Sequence, residues 1–143
     1  MKTDFEKAKQ LLGQGGYTCV LCKGSRVYTS TDRGVAPLLG WLELPEKPEG
    51  FCAADKVVGK AAAFLYLLMG VTQLYAMVIS QPALSLLQRS GIACEYDSLV
   101  PAIRNRTGEG FCPMERAVWE LDDPARALEA IRGTLRKLKE NNR

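Results

Sequence analysis

The period of the apolar positions changes repeatedly along the chain, and each change marks an element. In MKTDFEKAKQLLGQ, Phe5, Ala8, Leu11 and Leu12 share one helical face. Thr3 with Glu6 forms a capping box, so a helix is predicted, stopped by Gly15-Gly16. YTCVLC (17–22) and RVYTS (26–30) are rich in β-branched and aromatic residues and flank the turn Lys23-Gly24-Ser25, the pattern of a β-hairpin. A loop or short helix with Pro37 near its start leads into the proline-rich LPEKPEG, which at about seven residues suits a loop inside one domain. From Asp55 to Met69 apolar residues occur on nearly every side, which predicts a central buried helix capped by Asp55 and ended by Gly70. LYAMVIS (74–80) is a continuous apolar run suited to a strand buried on both faces. Ser80 and Pro82 open a helix over 82–90, and IACEYDSL (92–99) follows as a strand nearer the sheet edge, since it carries acids. Cys112-Pro113-Met114-Glu115 opens another helix. Leu128, Ile131, Leu135 and Leu138 mark a last amphipathic helix, packing on the sheet or on a second subunit.

The order is helix, hairpin, helix, strand, helix, strand, helix, helix. It predicts one α/β domain over residues 1–143, a sandwich with an antiparallel edge and parallel inner strands joined by crossovers. No repeat or low-complexity segment interrupts it.

Composition narrows the function classes. Past Pro124, six Lys/Arg stand against two acids, so the chain's net +3 is concentrated in its last helix. With no aromatic residues interleaved, that is a solvated helix face, and neither nucleic acid nor membrane is an expected partner. The longest apolar run, Ala61 to Val71, is far short of the roughly 20 residues that span a bilayer. Five cysteines and no export signal suit reduced thiols in a cytoplasmic protein. The absence of histidine removes the commonest general base and the commonest zinc ligand together.

Two segments can carry chemistry. In open α/β sheets ligands sit beyond the carboxyl ends of parallel strands, where helices begin with unpaired N–H groups suited to phosphate or carboxylate. The expected helix starts near Asp55 and Ser80 are of this kind, and Lys56 and Lys60, four apart, would share one helix face. The bland alternative is that Asp55 only caps, Gly59 permits close packing and the lysines reach outward. The second segment places Arg104, Asn105 and Arg106 before a glycine-bracketed turn and Cys112 at a helix start, a position that favours a thiolate nucleophile. Cys112 as a plain cap, with Pro113 and Glu115 as ordinary helix-start residues, is the competing reading. Cys19 and Cys22 form a C-x-x-C pair, but on a strand their side chains point to opposite faces, which makes the pair structural. Cys52, Asp55, Cys112 and Glu115 lack the tight pairs of structural zinc, so no metal or cofactor is expected.

Asp55-Lys-Val-Val-Gly-Lys-Ala-Ala-Ala63 and Cys112-Pro-Met-Glu115, taken together, resemble a bacterial family of unassigned function whose members adopt a cytidine deaminase-like fold. The resemblance extends to LYAMVIS, the Asn-Arg before the glycine turn and the hairpin, and implies a three-layer deaminase-like sandwich. Zinc deaminases carry His- or Cys-Ala-Glu at the start of the second helix and Pro-Cys-x-x-Cys at the start of the third. Here those places read Ala53-Ala54-Asp55-Lys56 and Pro82-Ala83-Leu84-Ser85-Leu86, so zinc catalysis is not expected.

The leading expectation is therefore a non-zinc, deaminase-like protein that binds a nucleotide-like or other anionic small molecule, with Lys60, Ser80, Arg104, Asn105 and Arg106 as ligand-binding residues. The alternatives are an enzyme using Cys112 with Asp55, Lys56 and Glu115, or a structural or regulatory subunit that self-associates through segment 35–44 and the exposed part of the last helix. A homo-oligomer is expected. All of this requires Asp55 and Cys112 to line one hollow.

Overall fold

The structure is a computed structural model that describes residues 2–104, 110 and 112–141. Helix α1 (Asp4–Gln14) starts as its sequence predicts: the Thr3 hydroxyl accepts from the Glu6 N–H at 3.1 Å, and Gly15 ends it. Strands β1 (Cys19–Lys23) and β2 (Arg26–Ser30) pair antiparallel through a two-residue turn. Gly24 takes the first turn position at φ 60°, which a side chain would resist. Helix α2 (Ala36–Leu42) follows, with Leu38 and Leu39 buried.

The largest departure from expectation comes next. Residues 55–58 are not the first turn of a helix but the end of the strand β3 (Cys52–Val58), and the helix α3 occupies only Lys60–Met69. β3 is the middle of a five-stranded sheet in the order β2-β1-β3-β4-β5, antiparallel to β1 and parallel to β4. The physical reason lies in its surroundings. Ala53 packs with the core on one face of the sheet and Ala54 with the core on the other. A strand buried on both faces shows no alternation in sequence, and two alanines beside a lysine mimic a helix. Neighbouring strands on both sides supply the backbone ladder and override that propensity.

β4 (Gln73–Ser80) and β5 (Ala93–Val100) complete the sheet in parallel, with β5 on the edge as its acids predict. Between them α4 (Gln81–Arg89) is capped by Ser80, whose Oγ accepts from the Ala83 N–H at 3.3 Å. The short α5 (Pro113–Val118) and the long α6 (Pro124–Asn141) close the chain.

Three layers result. α1 covers one face with Ala8 and Leu12 against Val20, Cys22, Ala54 and Tyr75. The larger core on the other face is built on α3, eight of whose ten residues are buried. α2, α4, α5 and α6 all pack against α3. Parts of both segments named for self-association are used inside the chain. Val35, Leu38 and Leu39 of segment 35–44 are spent in the chain's own core, and α6 packs on α3 and α5 through Ala127 and Ile131. Cys19 and Cys22 belong to the cores on opposite faces, as the strand geometry requires. Among the described residues no helix is long and apolar enough to cross a membrane.

Candidate functional site

The site lies where the carboxyl end of β3 meets the start of α3. A cavity of about 610 Å³ opens there, lined by Asp55, Lys56, Cys112 and Glu115 among others. Asp55 and Cys112, distant in sequence, do share one hollow. Its size is that of ordinary small-molecule pockets.

Two buried carboxyls face this space. Glu115, 2% exposed, projects from α5 onto the first turn of α3. Its Oε1 accepts from the Lys60 N–H at 2.8 Å and its Oε2 from the Ala61 N–H at 2.9 Å. These are unpaired donors at the positive end of the helix, so the anion that a helix start attracts is supplied by the chain itself. Gly59 makes room for it: a Cβ there would lie 2.5 Å from Glu115 Cδ. Burial pushes the Glu115 carboxyl above its usual range, while the two N–H bonds and the Lys60 ammonium hold it down.

Asp55, 7% exposed, does not cap a helix. From β3 its Oδ1 accepts from the Val57 N–H at 3.1 Å, and its Oδ2 accepts from the Tyr66 hydroxyl of α3 at 2.6 Å. Burial raises its pKa from 3.8 to about 7, against the opposing pull of the Tyr66 hydroxyl and the Val57 and Lys56 N–H groups. Burial, with Asp55 adjacent, drives the Tyr66 phenol well above its ordinary value, so it stays a proton donor. Cys19, the register partner of Asp55 on β1, also lines the cavity, and burial with the Asp55 charge pushes its thiol up to about 12.

The lysines part company. Lys56 is on a strand, exposed, and lines the cavity. Lys60 is the first residue of α3 and is buried, so the expected shared helix face does not exist. The Lys60 ammonium donates to the Trp119 carbonyl at 2.9 Å and lies 5.7 Å from the Phe64 ring centroid. It thus caps the end of α5, while Glu115 of α5 caps the start of α3. The two helices dock by exchanging caps.

Other expected site residues scatter. Ser80 is fully buried as the α4 cap and does not line the cavity. Arg104 does line it and is exposed, whereas Asn105 and Arg106 lie outside the described residues. Cys112 is half-buried at the start of α5, a helix of only six residues, and its side chain makes no capping bond.

Sequence reasoning missed Arg33, an exposed cation in the cavity lining, and Tyr66. The signal for Tyr66 was present: a lone hydroxyl in the apolar run KAAAFLYLLM must find a partner once that helix is buried. The segment compared with the deaminase helix start also lies elsewhere than expected: Ala53-Ala54-Asp55-Lys56 is mid-strand, and the helix begins at Gly59-Lys60-Ala61. The residues present do not fit a zinc ion. The chain has no histidine, Glu115 has an N–H on each oxygen, and among the described residues no three Cys, Asp or Glu side chains converge.

Comparison with known proteins agrees with this architecture. The crystal structure of a DUF1893 family protein (TM1506) from Thermotoga maritima superposes with a TM-score of 0.83 at 32% sequence identity, covering 96% of this chain and 92% of that one. No curated protein matches the chain. The family described as TM1506, domain of unknown function (DUF1893), matches residues 7–135, and the chain belongs to it.

Proposed function

We propose that the chain is a small-molecule-binding protein on a deaminase-like scaffold that works without zinc, and that its ligand carries a phosphate or carboxylate. The observation that carries this reading is the composition of the cavity. Exposed Arg33, Lys56 and Arg104 line one space with the buried Asp55 carboxyl, and among the described residues Asp32 is the one exposed acid in the lining. Among the described residues no ion pair takes up any of the three cations. Such cations suit an anionic group at the mouth, and a buried carboxyl suits a hydrogen-bonding group of the same ligand inside.

The anion's place differs from the sequence expectation. Because Glu115 fills the start of α3, the ligand's charge is assigned to the side-chain cations and not to the helix terminus.

Thermal-shift screening against nucleotides, sugar phosphates and oxo acids tests the reading. A ligand at 100 times its Kd stabilises the native state by about 2.7 kcal/mol, which at this chain length raises Tm by roughly 8–13 °C. The shift should shrink when Lys56 and Arg104 are both replaced by glutamine. A panel of such anions that leaves Tm unmoved at millimolar concentration defeats the proposal.

A further inference from the structure

We propose, resting on the binding reading above, that the cavity carries out proton transfer on its ligand, with Asp55 as the group that takes and returns the proton and Tyr66 as its positioning residue. The two buried carboxyls differ in what they have left to offer. Glu115 has one backbone N–H of α3 on each oxygen and a Cβ-free glycine beneath it, so movement would strip the helix of its cap. Asp55 has the Tyr66 hydroxyl on one oxygen and the Val57 N–H on the other, with the Lys56 N–H adding its pull, and the two carboxylate oxygens have about four acceptor positions, so a substrate proton still finds a lone pair. Tyr66 is fully buried in α3, so its 2.6 Å bond fixes the carboxyl's direction at the cavity wall.

The surroundings leave Asp55 as the proton-exchanging group. From β1 it faces the neutral Cys19 thiol, from α3 the protonated Tyr66, and from β4 the uncharged Ala76. α5 contributes Cys112 and the capped Glu115 to the lining, the segment before α2 contributes Asp32 and Arg33, and Lys56 and Arg104 complete the charged groups among the described residues. A carboxyl titrating at about 7 in that setting exchanges protons with either direction accessible at neutral pH.

The chemistry that fits is a proton shift beside a carbonyl. Asp55 removes a proton from the carbon next to the carbonyl; the C–H bond breaks, an O–H bond forms, and the electron pair moves onto the carbonyl oxygen as an enolate. The cationic lining offers that charge a partner. Return of the proton to the same carbon restores the carbonyl; where that carbon bears a hydroxyl, passage of the hydroxyl proton to the enolate oxygen and return of the carbon-bound proton to the former carbonyl carbon gives the isomeric carbonyl, with no co-reactant. The substrate class is a small carbonyl compound bearing phosphate or carboxylate.

The full chain, incubated in D2O with ribose 5-phosphate, fructose 6-phosphate, dihydroxyacetone phosphate and pyruvate, tests this by proton NMR, with Tm measured on the same samples. At least one compound should lose its C–H signal 100-fold faster than in buffer, and Asp55→Asn should abolish the gain. A compound that raises Tm without exchange overturns proton transfer and leaves the binding reading standing; neither effect with any compound overturns both. Carbon NMR of the Asp55 carboxyl supplies a readout independent of any variant's folding: a midpoint below pH 5 overturns the assignment. Tyr66→Phe should move that midpoint, and the pH profile of exchange with it, upward by about one unit, since a hydrogen bond to the ionised form is lost. An unmoved midpoint removes Tyr66 from its role.

Discussion

Glu115 and Asp55 are both acids, both buried and both in the wall of one cavity, yet they are held in opposite ways. Glu115 is gripped by two backbone N–H groups at the positive end of α3, with the Lys60 ammonium adding its charge. Asp55 leans on the Tyr66 phenol and the Val57 and Lys56 N–H groups, with no cation beside it among the described residues, and burial outweighs them. A carboxylate that satisfies a helix terminus becomes part of the frame. One that is buried without a fixed cationic partner keeps a proton near neutrality and stays available. Burial alone therefore does not say whether an acid is structural or chemical; its donors do.

That contrast can be broken most forcefully at Glu115. Glu115→Ala leaves the Lys60 and Ala61 N–H groups buried without an acceptor, and should cost about 3–4 kcal/mol, lowering Tm by roughly 10 °C or more in calorimetry. A loss under about 1 kcal/mol would show that the cap is not holding α5 to α3. Next in size is Gly59→Ala. Its new methyl would sit 2.5 Å from Glu115 Cδ, so the carboxylate or the helix start must give way. The expected loss is about 2–3 kcal/mol by chemical denaturation, and Glu115→Ala in the same chain should remove most of the added penalty, since the clashing atoms are gone.

The effect that is smallest at each step of the measurement, and the most diagnostic, is the pH dependence at Asp55. Its folded pKa of about 7 lies above the 3.8 of an unperturbed aspartate, so between these values the native state holds the extra proton. Stability then falls as pH rises from about 4 to 7, by at most about 1.4 kcal/mol per unit from this group, and is level above it. Asp55→Asn should flatten that part of the urea-denaturation profile. A remainder of the same sign should persist, because burial raises the Glu115 carboxyl too. An unchanged slope in the variant would mean that Asp55 is not the group that titrates.

How much of this was legible in the chain follows from the range of each interaction. The first helix, the hairpin, the run 74–80 and the start of α4 were readable because caps, turns and continuous apolar runs act over a few residues. Residues 52–58 were misread because their strand character comes from β1 and β4 on either side, neither of which is visible within the stretch itself. The consequences ran on from there. With Asp55 placed on a helix, Lys56 and Lys60 looked like one pair, when the strand end and Gly59 separate them into a cavity lysine and a buried cap.

The sequence by itself determined the α/β class, the burial of the segment after residue 60 and the concentration of acid, lysine and thiol side chains around Asp55 and Cys112, because each is written in local spacing and residue type. Only the tertiary structure decided which acid was free. Glu115 meets the first turn of α3 across more than fifty residues of chain, and Asp55 meets Tyr66 from a neighbouring element. Partners that far apart are set by how helices and sheet stack, and the chemistry of a buried carboxyl is set by its partners.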